Sequence, residues 1–131
     1  MKILVVDDNS DDRTLLRLIV ERYGHQAIEA GDGRAGLQEA ATHHPDLIIS
    51  DALMPGMDGF QFLKALKEDE TLRDTPFIFY SAVYKAEEDM ALARALGAET
   101  YIFKPKPPKE LWAEVLGVEL QEDAVGWLDV D

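Results

Sequence analysis

Short continuous apolar runs alternate along this chain with longer stretches in which apolar residues recur every three or four positions. "KILVV" (2–6) is unbroken and β-branched, the pattern of a strand buried on both faces. "DLIIS" (46–50), "PFIFYS" (76–81) and "TYIF" (100–103) also read as strands, and "QAIEA" (26–30) is a more polar one. Five segments of helical period lie after them. The first, 12–24, carries a stripe through Leu15, Leu16, Ile19 and Tyr23; Asn9 or Ser10 can cap it, and Gly24 stands where a C′ residue belongs. The second, 33–44, is stopped by Pro45, and the third, 59–69, has Phe60, Leu63 and Leu66 on one side. The fourth, 86–97, starts acidic and ends at Gly97; the fifth, 108–117, has Pro108 near its first position.

Five strand–helix units in a row predict an α/β domain, a doubly wound five-stranded parallel sheet with right-handed crossovers and helices on both faces. Residues 1–117 carry this pattern as one domain. Residues 118–131 do not: Glu119, Glu122, Asp123, Asp129 and Asp131 surround Gly126 and Trp127, which reads as an acidic C-terminal tail or linker.

One stretch invites another reading. "GDGRAG" (31–36) fits G-x-G-x-x-G, and Asp51 lies 20 residues beyond Gly31, about where a dinucleotide site places its ribose-binding acid. That motif should follow a buried central strand, however, and 26–30 is the most polar of the five. Gly31 and Gly33 are expected to let the chain turn, Asp32 to cap, and Gly36 to let the second helix lie close.

Composition narrows the function. A net charge of −13 repels phosphate backbones and anionic lipid, so direct nucleic-acid and membrane binding are not expected, whereas a bound cation or a basic partner is compatible. The absence of cysteine excludes disulfides, thiolate catalysis and Cys-ligated metals. No apolar run approaches the roughly 20 residues of a membrane span, and "MKILVV" lacks the long apolar core of a signal peptide, so the expected location is cytoplasmic.

In open parallel sheets, ligands bind beyond the carboxyl ends of the strands. The first strand here ends in Asp7-Asp8, the third in Asp51, the fourth in Ser81, and the fifth runs into Lys104-Pro105. Two like charges about 6 Å apart at an effective dielectric of about 20 cost roughly 3 kcal/mol. A divalent cation removes that cost, and all-oxygen donors suit Mg²⁺. Phosphoryl transfer needs this kind of charge neutralisation and alignment, and a carboxylate can be its nucleophile.

With these residues in view, the chain resembles the receiver domain of two-component response regulators, the family that includes the bacterial chemotaxis regulator. "VVDDN" resembles its acidic pair, "LIISDALMPGMDGF" its phosphorylation segment, "YSA" its hydroxyl followed by a small residue, and "YIFKP" its switch aromatic and Lys-Pro; the likeness covers about residues 2–116. The resemblance implies a flavodoxin-like (βα)5 fold with strand order 2-1-3-4-5. It implies that Asp51 accepts a phosphoryl group from the phosphohistidine of a sensor histidine kinase or a histidine phosphotransfer protein. It implies Mg²⁺ held by Asp8, Asp7, Asp51 and the Leu53 carbonyl, with Lys104 and Ser81 on phosphoryl oxygens. It further implies that Tyr101 reports to the face built by the fourth helix, fifth strand and fifth helix, a candidate homodimer surface, and that the Lys104–Pro105 bond is cis.

Two positions that vary in the family are apolar here, Leu53 and Val83, and neither side chain can orient water, so slow autodephosphorylation is expected. Ser81 stands where threonine is commoner, and "KPKPP" (104–108) stiffens the approach to the last helix. His43 and His44 suit a helix C-terminus better than a metal, and Met54, Met57, Phe60, Phe62, Leu111 and Trp112 are expected to pack. A phosphohydrolase of the haloacid-dehalogenase type needs a second acid two residues after its nucleophile, where this chain has Leu53. A phosphorylation-independent pseudo-receiver is the alternative, although Asp7, Asp8, Asp51 and Lys104 are all present. A stand-alone relay protein and the N-terminal receiver of a longer kinase both fit the sequence.

Overall fold

The computed structural model describes residues 1–82 and 86–119; Val83 and residues 120–131 of the expected tail lie outside the described residues. Strand and helix alternate as β1 (Lys2–Val6), α1 (Ser10–Arg22), β2 (Gln26–Ala30), α2 (Gly33–His43), β3 (Leu47–Ser50), α3 (Gly59–Lys67), β4 (Phe77–Ser81), α4 (Ala86–Leu96), β5 (Thr100–Phe103) and α5 (Pro108–Glu119). All strand pairs are parallel, in the order β2-β1-β3-β4-β5. The polar β2 is therefore an edge strand, as its composition requires.

Successive strand residues point to opposite faces, so each strand feeds two cores. Ile3, Val5, Leu47, Ile49, Ile78 and Ile102 pack with Leu16, Ile19 and Val20 of α1 and Leu111, Trp112 and Val115 of α5. Leu4, Val6, Ile48, Phe77 and Phe79 point the other way, onto Ala40 of α2, Phe62, Leu63 and Leu66 of α3 and Ala93 of α4.

Several sequence expectations shift. The buried stripe of α1 is Leu16, Ile19 and Val20, while Leu15 is 58% exposed and Tyr23 lies at the surface. Helix α1 starts two residues before the periodic segment because the Asn9 side chain accepts the Asp12 N–H. On α3 it is Phe62 rather than Phe60 that is fully buried. Helix α2 stops at His43 because His44 takes up the left-handed conformation, φ 46°, and donates its N–H to the Ala40 carbonyl. Helix α5 continues past Gly117 to Glu119, since a single glycine weakens a helix by about 1 kcal/mol without ending it. Gly31 and Gly33 are not left-handed; the glycines with positive φ among the described residues are Gly24, Gly56 and Gly97. Gly33 is small for another reason, since a Cβ there would lie 2.7 Å from Met57 Cγ. Asp32 caps α2 through the Ala35 N–H at 2.8 Å, and a Cβ on Gly36 would meet Phe62 Cζ at 2.9 Å. "GDGRAG" thus serves helix capping and helix packing.

Candidate functional site

The ladder register brings the strand ends together. Val6 pairs with Ser50, Ser50 with Phe79, and Ser81 with Phe103. The next residues continue the pattern, with Asp51 N–H on the Val6 carbonyl at 2.9 Å and Lys104 N–H on the Ser81 carbonyl at 2.9 Å. Asp7, Asp51, Ser81 and Lys104 consequently converge, with Asp8 beside Asp7.

Asp51 is held on both oxygens. Its Oδ1 accepts the N–H of Ala52 at 2.7 Å, that of Leu53 at 3.3 Å, and the Ser81 hydroxyl. Its Oδ2 accepts Lys104 Nζ at 3.1 Å. The loop after it is shaped for this purpose. Gly59 donates to the Ala52 carbonyl at 2.8 Å, and a Cβ on Gly59 would collide with the Asp51 carbonyl oxygen and come within 2.9 Å of Phe79. Asp58 caps α3 in a reciprocal box with Gln61. The "MDG" of the motif is therefore structural: it starts α3 against the back of the Asp51 loop.

Asp7 is 3% exposed. Its Oδ1 accepts the Asn9 N–H at 2.9 Å and its Oδ2 accepts Lys104 Nζ at 2.9 Å. Burial pushes its carboxyl above the ordinary range, and the nearby Asp51 charge adds to this, against the opposing pull of Asn9 and Lys104. Burial alone would lower the Lys104 ammonium. The Asp7 hydrogen bond and the charges of Asp51 and Asp7 outweigh it and hold its pKa above the ordinary lysine value. The structure adds two residues that the sequence did not single out. Asp12, in the first turn of α1, takes a third contact to Lys104 Nζ at 3.1 Å. The Tyr80 ring lies 6.0 Å from that ammonium, and its hydroxyl accepts the Lys106 N–H at 3.0 Å, pinning the proline-rich loop. Nothing in their spacing marks them: Asp12 reads as helix-start chemistry and Tyr80 as strand packing.

Tyr101 is 8% exposed, its ring 5.3 Å from Phe79 and 5.1 Å from Phe103. Burial raises its phenol pKa, and the nearby Ser81 hydroxyl opposes this in part. The Lys104–Pro105 bond is cis.

The sequence model of the response regulator receiver domain family matches residues 3–116. The chain belongs to this family. It functions in two-component signalling as a receiver. It is 40% identical over 118 residues to the alkaline phosphatase synthesis transcriptional regulatory protein PhoP of Bacillus subtilis (strain 168), covering 89% of this chain and 48% of that protein. It is 38% identical over 117 residues to the phosphate regulon transcriptional regulatory protein PhoB of Escherichia coli (strain K12), covering 89% and 51%. The receiver thus spans about half the length of these two relatives. The structure of Vibrio cholerae chemotaxis protein CheY4 superposes with a TM-score of 0.83 at 32% identity, covering 89% of this chain and 97% of that one. Among the described residues of the receiver, no helix is long and apolar enough to cross a membrane.

The receiver's acidic residues fit a divalent cation. Asp7, Asp8 and Asp51 each bring one carboxylate oxygen within 4.8 Å of the others. These are hard, anionic donors of the kind Mg²⁺ takes.

Proposed function

We propose that this receiver accepts a phosphoryl group on Asp51 from a phosphohistidine of a histidine kinase or histidine phosphotransfer protein. The observation that carries this reading is the Asp51 carboxylate itself. It is held on Oδ1 by two backbone N–H groups and the Ser81 hydroxyl, held on Oδ2 by Lys104, and faced by two further carboxylates. In the reaction an Asp51 oxygen attacks phosphorus while the P–N bond to the donor imidazole breaks, and the imidazole leaves with its electron pair. Ser81 and Lys104 exchange their bonds to Asp51 for bonds to phosphoryl oxygens. Asp7, Asp8, Asp51 and the Leu53 carbonyl are the groups that would hold Mg²⁺, which supplies neutralisation of charge on the transferring group.

Tyr101 is the residue positioned to couple this event to the surface of α4, β5 and α5, because its ring is buried beside Ser81. The half-exposed Leu53 side chain offers no hydrogen bond to an attacking water, which supports a slow loss of the phosphoryl group. The partner kinase and any output domain belong to the pathway in which the receiver works.

The test is treatment with beryllofluoride or acetyl phosphate in Mg²⁺, followed by intact mass and by decay of the adduct. Wild type is expected to gain one Mg²⁺-dependent adduct that decays slowly, and Asp51→Asn to gain none. Absence of an adduct on wild type at saturating donor would leave the phosphorylation-independent interaction module as the reading.

A further inference from the structure

Lys104 has three N–H groups, and the structure gives each a carboxylate: Asp7 at 2.9 Å, Asp12 at 3.1 Å and Asp51 at 3.1 Å. Two of these acids belong to the trio that can share a cation; Asp12 does not. It comes from a different element, α1, and its side chain is 48% exposed at the rim of the site, whereas Lys104 is 15% exposed. Asp12 also borders a groove of about 330 Å³ that opens beside Lys104, between α1 and the loop Pro105–Pro108. A carboxylate outside the cation trio therefore stands at the rim of the site and already occupies part of the ammonium that also contacts Asp51.

We propose that Asp12 is a specificity-determining residue whose charge at the rim makes the site select phosphoryl donors by their own charge. The proposal rests on the phosphoacceptor reading of Asp51. Removing the Asp12 charge has two opposed consequences. Lys104 loses a tether, which would slow transfer, and the rim loses a negative charge, which would speed approach of an anion. The second effect wins, because Asp7 still holds the ammonium at 2.9 Å and the Tyr80 ring still flanks it. A doubly charged donor then gains more than a singly charged one.

The experiment measures initial rates of Asp51 phosphorylation in Mg²⁺ with two small donors. Acetyl phosphate is a dianion near neutral pH. Phosphoramidate carries one net negative charge and, like phosphohistidine, a P–N bond. Asp12→Asn is expected to react about fivefold faster than wild type with acetyl phosphate at low ionic strength, since a unit charge and a dianion about 8 Å apart in water interact by roughly RT ln 5. With phosphoramidate the gain is expected to be about twofold on the same argument. Both gains should collapse as ionic strength rises from about 0.01 M to about 0.5 M, where the screening length becomes a few ångströms. Asp12→Glu should restore wild-type behaviour.

A merely structural role for Asp12 would move both donors equally and would not respond to salt. Equal rates for wild type and Asp12→Asn at low salt, a slower variant, or a salt-independent gain would each overturn the proposal while leaving Asp51 as phosphoacceptor. Failure of wild type to take up phosphoryl from either donor would instead overturn the reading on which it rests, and this inference with it.

Discussion

The two ends of the same sheet are built on opposite terms. At the amino end, charged groups meet single partners and rings close the edge. The Lys2 N–H donates to Asp46 at 2.8 Å, and the Met1 amino group lies 2.9 Å from His25 Nδ1. Trp112 of α5 is stacked on Tyr23, centroids 5.0 Å apart and planes within 5°, and lies 5.3 Å from His25. At the carboxyl end three carboxylates crowd within 4.8 Å, a fourth stands beside them on Lys104, and burial holds Asp7 above its ordinary pKa. One end is satisfied and closes the fold. The other keeps charge in excess and is completed by what it binds. Substitutions at the two ends should therefore move stability in opposite directions.

The largest expected change is at the closed end. Trp112 is buried between α5 and the sheet, and its truncation removes both stacking partners' contacts. Trp112→Ala should lower unfolding free energy by about 3–5 kcal/mol in urea titrations, while the folded fraction still takes up one beryllofluoride. A loss below about 1 kcal/mol, or loss of the adduct in folded protein, would break the contrast between the ends.

At the open end the sign reverses. Asp8 is exposed, and neutralising it removes one of three crowded charges without stranding a buried group. With a chelator present, Asp8→Asn should raise stability by about 1 kcal/mol, the size of one charge pair at short range in water. The same variant should lose most of the rise in Tm that Mg²⁺ gives wild type. Destabilisation in chelator would show that the crowded carboxylates are not a cost to the fold.

The contrast also explains what could be read from the sequence. The strand ends were legible because a buried parallel strand is an unbroken apolar run, and the polar residue that stops it marks the site: Asp7, Asp51, Ser81 and Lys104 each follow or end such a run. Residues that reach the site from the side were not legible. Asp12 arrives from α1 and Tyr80 from within β4, and their roles depend on how helix and loop lie over the sheet. The same reason misplaced the α1 stripe. Leu15 fits a helical period as well as Val20 does, and only the packing of α1 on β1 and β2 decides which is buried. The turn at His44 was hidden because a left-handed histidine has no local signature, and Pro45 drew attention to the wrong residue.

The smallest expected effect tests the closed end through pH. Burial against Trp112, reinforced by the charge of the Met1 amino group, lowers the His25 pKa below its ordinary 6.5. The folded chain therefore binds this proton less readily than the unfolded chain. The stability that depends on neutral His25 is fully present above pH 6.5 and is lost as pH falls from there through the lower folded value. His25→Phe keeps a ring against Trp112 and removes the titration. Tm measured from pH 8 down to pH 5.5 should fall more steeply for wild type than for His25→Phe, by a shift smaller than that of Asp8→Asn. Because the other histidines and all carboxylates are common to both proteins, the difference between the two curves isolates His25. Parallel curves would mean that the imidazole is as readily protonated in the fold as in water, and that the amino end is less closed than its stacked rings imply.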